Sequence, residues 1–297
     1  MKADIFYSTL AGRALFKTLQ KAGFFRLASW FLHTRASRFM IPGYIKKNRI
    51  DMRPFEGQTY RSFADFFVRK RDDIHIVSDP DVLISPCDGL LSVYPVTADL
   101  SIPMKGSVYN VADLVPDKET ADLFQDGLCL VFRLEASDYH HFCCFDDGLL
   151  VQTDFIQGQL HSVQPIAHRS VPVYRLNRRW WSVLETKHFG TAVQIEVGAV
   201  LVGGVTFSIG KDRFCRGDEM GCFELAGSTI ILLLNSSVRQ RLVFSSALSQ
   251  AAAGNSEARV RIGSAIGTMT NDAIGTMTNE KLQHEAKSPA AGQCSSV

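Results

Sequence analysis

The chain has 297 residues, 46% of them hydrophobic, and a formal net charge of +2. That is enough apolar material for the core of one large domain or two modest ones, so the chain reads as globular. No run of about 18 apolar residues marks a spanning helix, and the N-terminus lacks the long apolar stretch of a signal peptide. Seven cysteines without a C-x-x-C pair argue against a zinc ribbon or a disulfide framework. The expectation is a cytoplasmic protein with reduced thiols, no metal and no nucleic-acid partner.

Residues 1–50 carry ten lysines and arginines against the single acid Asp4, a local +9 that leaves −7 for the rest of the chain. Leu15 and Leu19, then Phe24, Leu27 and Phe31, recur at helical spacing, with Phe25, Trp30 and Phe39 nearby. The pattern predicts short basic amphipathic helices. They serve either as a cap whose apolar stripe faces the core, or as a contact for an anionic membrane surface. Taken alone, the segment favours the cap.

From about residue 80 the texture is that of short strands. "LLSVYPV" (90–96), "LCLVFRL" (128–134) and "LLVQTDFI" (149–156) are rich in β-branched and aromatic residues and separated by turn signals. In "VQIEVGAVLVGGV", Val193, Ile195 and Val197 alternate with Gln194 and Glu196, which predicts one buried and one wet face. Gly198, Gly203 and Gly204 then suggest bulges or bends. Near the end, "AIGTMTND" (265–272) is followed at once by "AIGTMTNE" (273–280), and the last residues have too few large apolar groups to order themselves.

Three segments bear on chemistry. "SPCDGLLSVYPV" sets Asp88-Gly89 before a strand, which by itself reads as a tight turn. "DYHHFCCFDDG" gathers His140, His141, Cys143 and Cys144, but neighbours on a strand point to opposite faces and could not readily share one tetrahedral ion. A histidine acting as acid or base is the better use of that segment. "CFELAGSTIILLL" places Gly227-Ser228-Thr229 where a buried strand should begin, without the G-x-S-x-G elbow of α/β-hydrolases. Neither G-x-G-x-x-G nor G-x-x-x-x-G-K-[ST] occurs, so nucleotide chemistry has no support.

In order, "SFADFFVRKRDD", "SPCDGLLSVYPV", "MKGSVYNVADLV", "DYHHFCCFDDG", "HSVQPIAHRSVPVYRLNRRWW", "FGTAVQIEVGAVLVGGV" and "RGDEMGCFELAGSTIILL" resemble the successive blocks of the phosphatidylserine decarboxylase family. The likeness runs from about residue 5 to residue 235. It implies a self-processing enzyme whose pyruvoyl group is made from Ser228 by cleavage of the Gly227–Ser228 bond. That group would form a Schiff base with the amine of phosphatidylserine and release CO2 and phosphatidylethanolamine. By resemblance, Asp88 and His140 support the chemistry. The family's block usually reads Asp-Tyr-His-Arg-x-His, and its second histidine, the usual processing base, corresponds to Cys143 here. His140, His141 and His161 are therefore all candidates for the base, with His140 favoured.

The resemblance also turns the basic N-terminus toward the membrane reading, and implies a homodimer of processed heterodimers lying peripherally on the inner face of the cell membrane. The expected fold is α+β, a mostly antiparallel β core with the N-terminal helices attached. Residues 1–70 would form the helical membrane-contacting region, 71–262 the catalytic domain and 263–297 a largely disordered tail. Two rivals remain. A non-catalytic lipid-binding β-domain would keep its chain intact. A pyruvoyl decarboxylase of a soluble amino acid would cut itself but make little use of a basic amphipathic end.

Overall fold

The computed structural model describes residue 7 and residues 9–270, except 105–106, 169–170, 200–203, 211–212, 226–227 and 255. About 29% helix and 34% strand, the strands mostly antiparallel, make it an α+β fold.

Helices come first. α1 (Leu10–Lys21) and α2 (Phe24–His33) are separated by Gly23, whose φ of 72° suits a residue without Cβ. α3 (Met40–Asn48) and α4 (Phe63–Phe67) follow, the latter capped where the Asp65 N–H donates to Ser62 Oγ at 3.1 Å. Phe16 and Phe25 turn into the main core, while Leu32 joins Phe63, Phe66, Phe67 and Leu225 in a second, smaller one. Through Leu225 the helical region rests against the chain just before Ser228. Leu27, Trp30 and Phe39 remain 64%, 65% and 75% exposed, so the helices keep an apolar face outside either core.

The strands, in chain order, are β1 (Val82–Ile84), β2 (Gly89–Pro95), β3 (Ser101–Met104), β4 (Ser107–Asn110), β5 (Leu128–Leu134), β6 (His141–Cys143), β7 (Gly148–Ile156) and β8 (Arg179–Thr186). They continue as β9 (Gly190–Val197), β10 (Val205–Phe207), β11 (Arg213–Phe214), β12 (Glu219–Phe223), β13 (Ser228–Leu234), β14 (Leu242–Phe244), β15 (Ala258–Val260) and β16 (Ala265–Met269). Eight of them form one sheet in the order β11-β7-β8-β9-β13-β5-β2-β15. β13 lies inside it between β9 and β5, and all seven of its residues are buried. Each buried Ile or Leu contributes about 1.5–3 kcal/mol relative to exposure, so "STIILLL" is a strong anchor.

A three-stranded sheet, β10-β12-β6, packs through Met220 against Gln194 of β9. That layer overturns one expectation. The face of β9 that carries Gln194 and Glu196 is not wet: both side chains are fully buried. The alternation was real, but it separates two covered faces, one apolar and one polar.

Residues 265–269, expected to belong to a disordered tail, instead form a strand. β16, inside the first copy of the repeat, pairs with both β1 and β14 and buries Ile266. Those two partner strands take up its backbone hydrogen bonds, which composition alone could not reveal. The second copy lies outside the described residues.

Candidate active site

β13 starts at Ser228, opposite Leu134 of β5, and Thr229 lies opposite Val197 of β9. This register sends Ser228 and Ile230 to one face of the sheet. Glu196, opposite Ile230, shares that face and is the diagonal neighbour of Ser228. Ser228 is fully buried, and among the described residues its Oγ has no hydrogen-bond partner. An orphaned buried hydroxyl costs about 1–3 kcal/mol, so its retention points to a role other than stability. Gly227, the expected acyl side of the cleaved bond, lies outside the described residues.

His140 precedes β6 and is fully buried, its ring 4.2 Å from that of Phe67 in α4. Its Nδ1 donates to the Asp138 carbonyl at 2.9 Å, so the neutral ring carries its lone pair on Nε2, which has no partner among the described residues. Burial, helped by the nearby Arg69 guanidinium, pushes this imidazole down to about 3. It therefore stays neutral at physiological pH, with the Nε2 lone pair unprotonated, although burial also makes it a weaker base than a free imidazole. Its carbonyl accepts from the Phe223 N–H at 3.0 Å, tying it to the strand that leads toward Ser228.

Asp88 does not meet the imidazole. Its carboxylate accepts from the Ile262 N–H at 2.9 Å and the Tyr139 N–H at 3.4 Å, and lies 3.9 Å from Arg71. It thus holds the backbone beside His140, while the Asp138 carbonyl orients the ring. Gly89 is required next to it: φ is 153°, and a Cβ there would stand 2.9 Å from the Arg133 carbonyl oxygen. Asp88 ends a bend at residues 86–88 and Gly89 begins β2, so the turn the sequence suggested sits directly before the strand.

The other candidates are engaged elsewhere. His141 donates from Nε2 to the Val68 carbonyl at 3.0 Å, and its Nδ1 lies 3.3 Å from Glu219. His161 lies beside Tyr7 and Phe16 of the N-terminal region, with Nε2 2.7 Å from Gln159 Oε1. Cys143 is buried, which pushes its thiol up to about 12, so it is a poor base at neutral pH.

Sequence reasoning missed Glu196. Its Oε1 accepts from Gln194 Nε2 at 2.9 Å, its Oε2 has no partner among the described residues, and burial pushes the carboxyl up to about 7. A carboxyl of that kind exchanges a proton near neutral pH, as acid–base chemistry requires. No local signal distinguished it from a solvated glutamate.

A family model described as Phosphatidylserine decarboxylase matches residues 63–268. The chain belongs to the phosphatidylserine decarboxylase family. The "Phosphatidylserine decarboxylase proenzyme 2" of Clostridium acetobutylicum is 37% identical over 269 residues, covering 90% of this chain and 91% of that protein. The "Phosphatidylserine decarboxylase proenzyme" of Clostridium kluyveri is 37% identical over 258 residues, covering 84% and 86%. That of Desulfitobacterium hafniense is 36% identical over 237 residues, covering 76% and 78%. The match contains Asp88, His140, Glu196 and Ser228. Within this phosphatidylserine decarboxylase fold Glu196 and Ser228 share one face of the eight-stranded sheet, while Asp88 directly precedes β2 and His140 directly precedes β6.

Proposed function

We propose that this protein is a phosphatidylserine decarboxylase that makes its own pyruvoyl group from Ser228. The observation that carries this reading is the buried Ser228 hydroxyl, unpartnered among the described residues, at the start of an interior strand and within the Gly-Ser-Thr triplet of the family. The residues present fit the group: a hydroxyl that stabilises nothing, beside a carboxyl able to exchange protons, in a dry core.

In processing, Ser228 Oγ attacks the Gly227 carbonyl carbon, its proton passes to a base, and the acyl group moves from nitrogen to oxygen. Removal of the Ser228 α-proton then expels the Gly227 carboxylate, and the dehydroalanine left behind takes up water and loses ammonia. His140, with its lone pair on Nε2, is the base we favour. The pyruvoyl carbonyl supplies an electron sink for the pair released with CO2. During turnover His140 and Glu196 move protons, and the covering β10-β12-β6 layer excludes water.

Intact mass under denaturing conditions tests the processing step. The expected result is two chains, 1–227 and 228–297, the smaller lighter by one ammonia than its serine-started mass. A single chain of 32.9 kDa would reject it. His140→Ala should leave most of the chain uncut; full processing by a folded variant would pass the base role to another group. Activity on phosphatidylserine vesicles, with none on free serine, separates the lipid enzyme from a soluble amino-acid decarboxylase.

The exposed Leu27, Trp30 and Phe39, interspersed with exposed Arg26, Arg35 and Arg38, support peripheral docking on an anionic membrane, at the inner face of the cell membrane. Replacing both Leu27 and Trp30 by Glu should weaken co-sedimentation with anionic vesicles by roughly tenfold or more. Unchanged binding would remove the idea.

A further inference from the structure

A cavity of about 830 Å³ lies between the segment that follows α3, the chain that leaves α4, the loop after β5, and β15. Six arginines line it, Arg49, Arg53, Arg69, Arg71, Arg259 and Arg261, against four carboxylates, Asp51, Asp73, Asp88 and Asp138. The ion pairs are unevenly shared. Arg53 holds Asp51 at 2.6 Å, Arg71 holds Asp73 at 2.8 Å and lies 3.9 Å from Asp88, and Arg259 holds Asp138 at 2.7 Å. Arg49, Arg69 and Arg261 have no carboxylate within ion-pair distance among the described residues.

Arg69 is the most informative of the three. It is only 3% exposed, lies between the rings of Phe55 and Phe66 at 4.8 and 4.9 Å, and lines the cavity. Among the described residues its Nη atoms donate only to carbonyls of Phe66, Phe67, Ser137 and Asp138, at 3.4–3.5 Å, and its buried Nε has no partner. A guanidinium buried without a counter-ion is costly, and these long bonds to neutral acceptors offset little of that cost. An anion entering the cavity would supply the missing charge.

The cavity also borders the active site. The Asp138 carbonyl accepts from both Arg69 Nη2 and His140 Nδ1, so one oxygen joins the cavity wall to the catalytic imidazole. Val260 of β15, another lining residue, lies opposite Gly89, at the end of the sheet where Ser228 faces Leu134.

We propose that this cavity is a phosphate-group site, in which Arg69, Arg49 and Arg261 hold the phosphodiester of the lipid substrate's headgroup. This rests on the reading of the substrate as phosphatidylserine. Arginine forks match the paired oxygens of a phosphodiester, and the aromatic rings on either side of Arg69 fix its plane. The site would distinguish the lipid headgroup from free serine, which has no phosphate.

The test uses the full-length processed protein, with intact mass recorded for every variant. Decarboxylation is assayed on phosphatidylserine in micelles of a neutral detergent, so that membrane charge plays no part. Arg261→Gln and Arg49→Gln should each raise KM by roughly tenfold while kcat changes by less than about twofold. Arg69→Lys should do the same if it folds, and the two rim variants keep the test valid if it does not. Calorimetric titration with glycerophosphoserine should show binding that Arg261→Gln weakens by a similar factor, with inorganic phosphate binding more weakly. Unchanged KM in both rim variants overturns the proposal, as does inorganic phosphate binding as tightly as the diester. If the wild-type protein binds glycerophosphoserine through these arginines yet decarboxylates nothing, the site stands and the enzymatic reading falls.

Discussion

Ser228→Ala should yield a single folded chain of 32.9 kDa with no decarboxylase activity, a loss of roughly 10³-fold or more. The effect is chemical rather than structural. Ser228 Oγ has no hydrogen-bond partner among the described residues, and β13 is anchored by Ile230, Ile231, Leu232, Leu233 and Leu234, all fully buried. Removing an orphaned hydroxyl relieves a desolvation cost and leaves the apolar contacts in place. The measurement pairs intact mass with a urea unfolding curve. A variant that fails to unfold cooperatively would show that the serine supports the strand, and a variant that still cuts itself would place the pyruvoyl precursor elsewhere.

Glu196→Gln, made in the uncut Ser228→Ala background so that the chain stays continuous, should change how stability depends on pH. The Glu196 carboxyl rises from an ordinary 4.5 to about 7 because burial disfavours its charged form. Between those values the native state binds a proton that the unfolded state has lost, so stability falls as pH rises from 4.5 to 7. The full penalty above that window is about 3 kcal/mol by linkage. Glutamine carries no charge to bury and can still accept from Gln194 through Oε1. The variant should therefore gain on its parent progressively between pH 5 and pH 8, by up to about 3 kcal/mol. Cys87, the titratable neighbour before β2, is itself fully buried, with its thiol held well above its usual range, so it stays neutral in that window. Parallel pH profiles of the two proteins would mean that Glu196 is not the buried acid described above.

Much of the chain was legible in its sequence. "LCLVFRL" coincides with β5 (Leu128–Leu134), because a continuous apolar run bounded by turn residues suits a strand covered on both faces. The apolar run after Ser228 became β13 for the same reason. The basic helices at the N-terminus follow from their periodicity, and the family follows from seven blocks in order, later matched over residues 63–268. Residue types in those blocks point to the family because the groups that a shared chemistry uses stand at fixed positions along the chain.

What the sequence by itself determined is thus the fold class and the family, both written in local pattern, and it singled out Ser228 as the proposed pyruvoyl precursor. Only the tertiary structure decided which side chains share a face and which are cut off from water. Glu196 looks like a solvated residue until the β10-β12-β6 layer closes over it, and desolvation alone then makes it an acid near neutral pH. Asp88 reads from the sequence as a turn residue that supports the chemistry by resemblance, and the fold gives its oxygens to the Ile262 and Tyr139 N–H groups and leaves the His140 ring to the Asp138 carbonyl. "AIGTM" orders as β16 because β1 and β14 flank it, a pairing between segments more than 180 residues apart in one case. Burial, register and charge balance are sums over neighbours that the chain brings together from a distance, so no local stretch of sequence contains them.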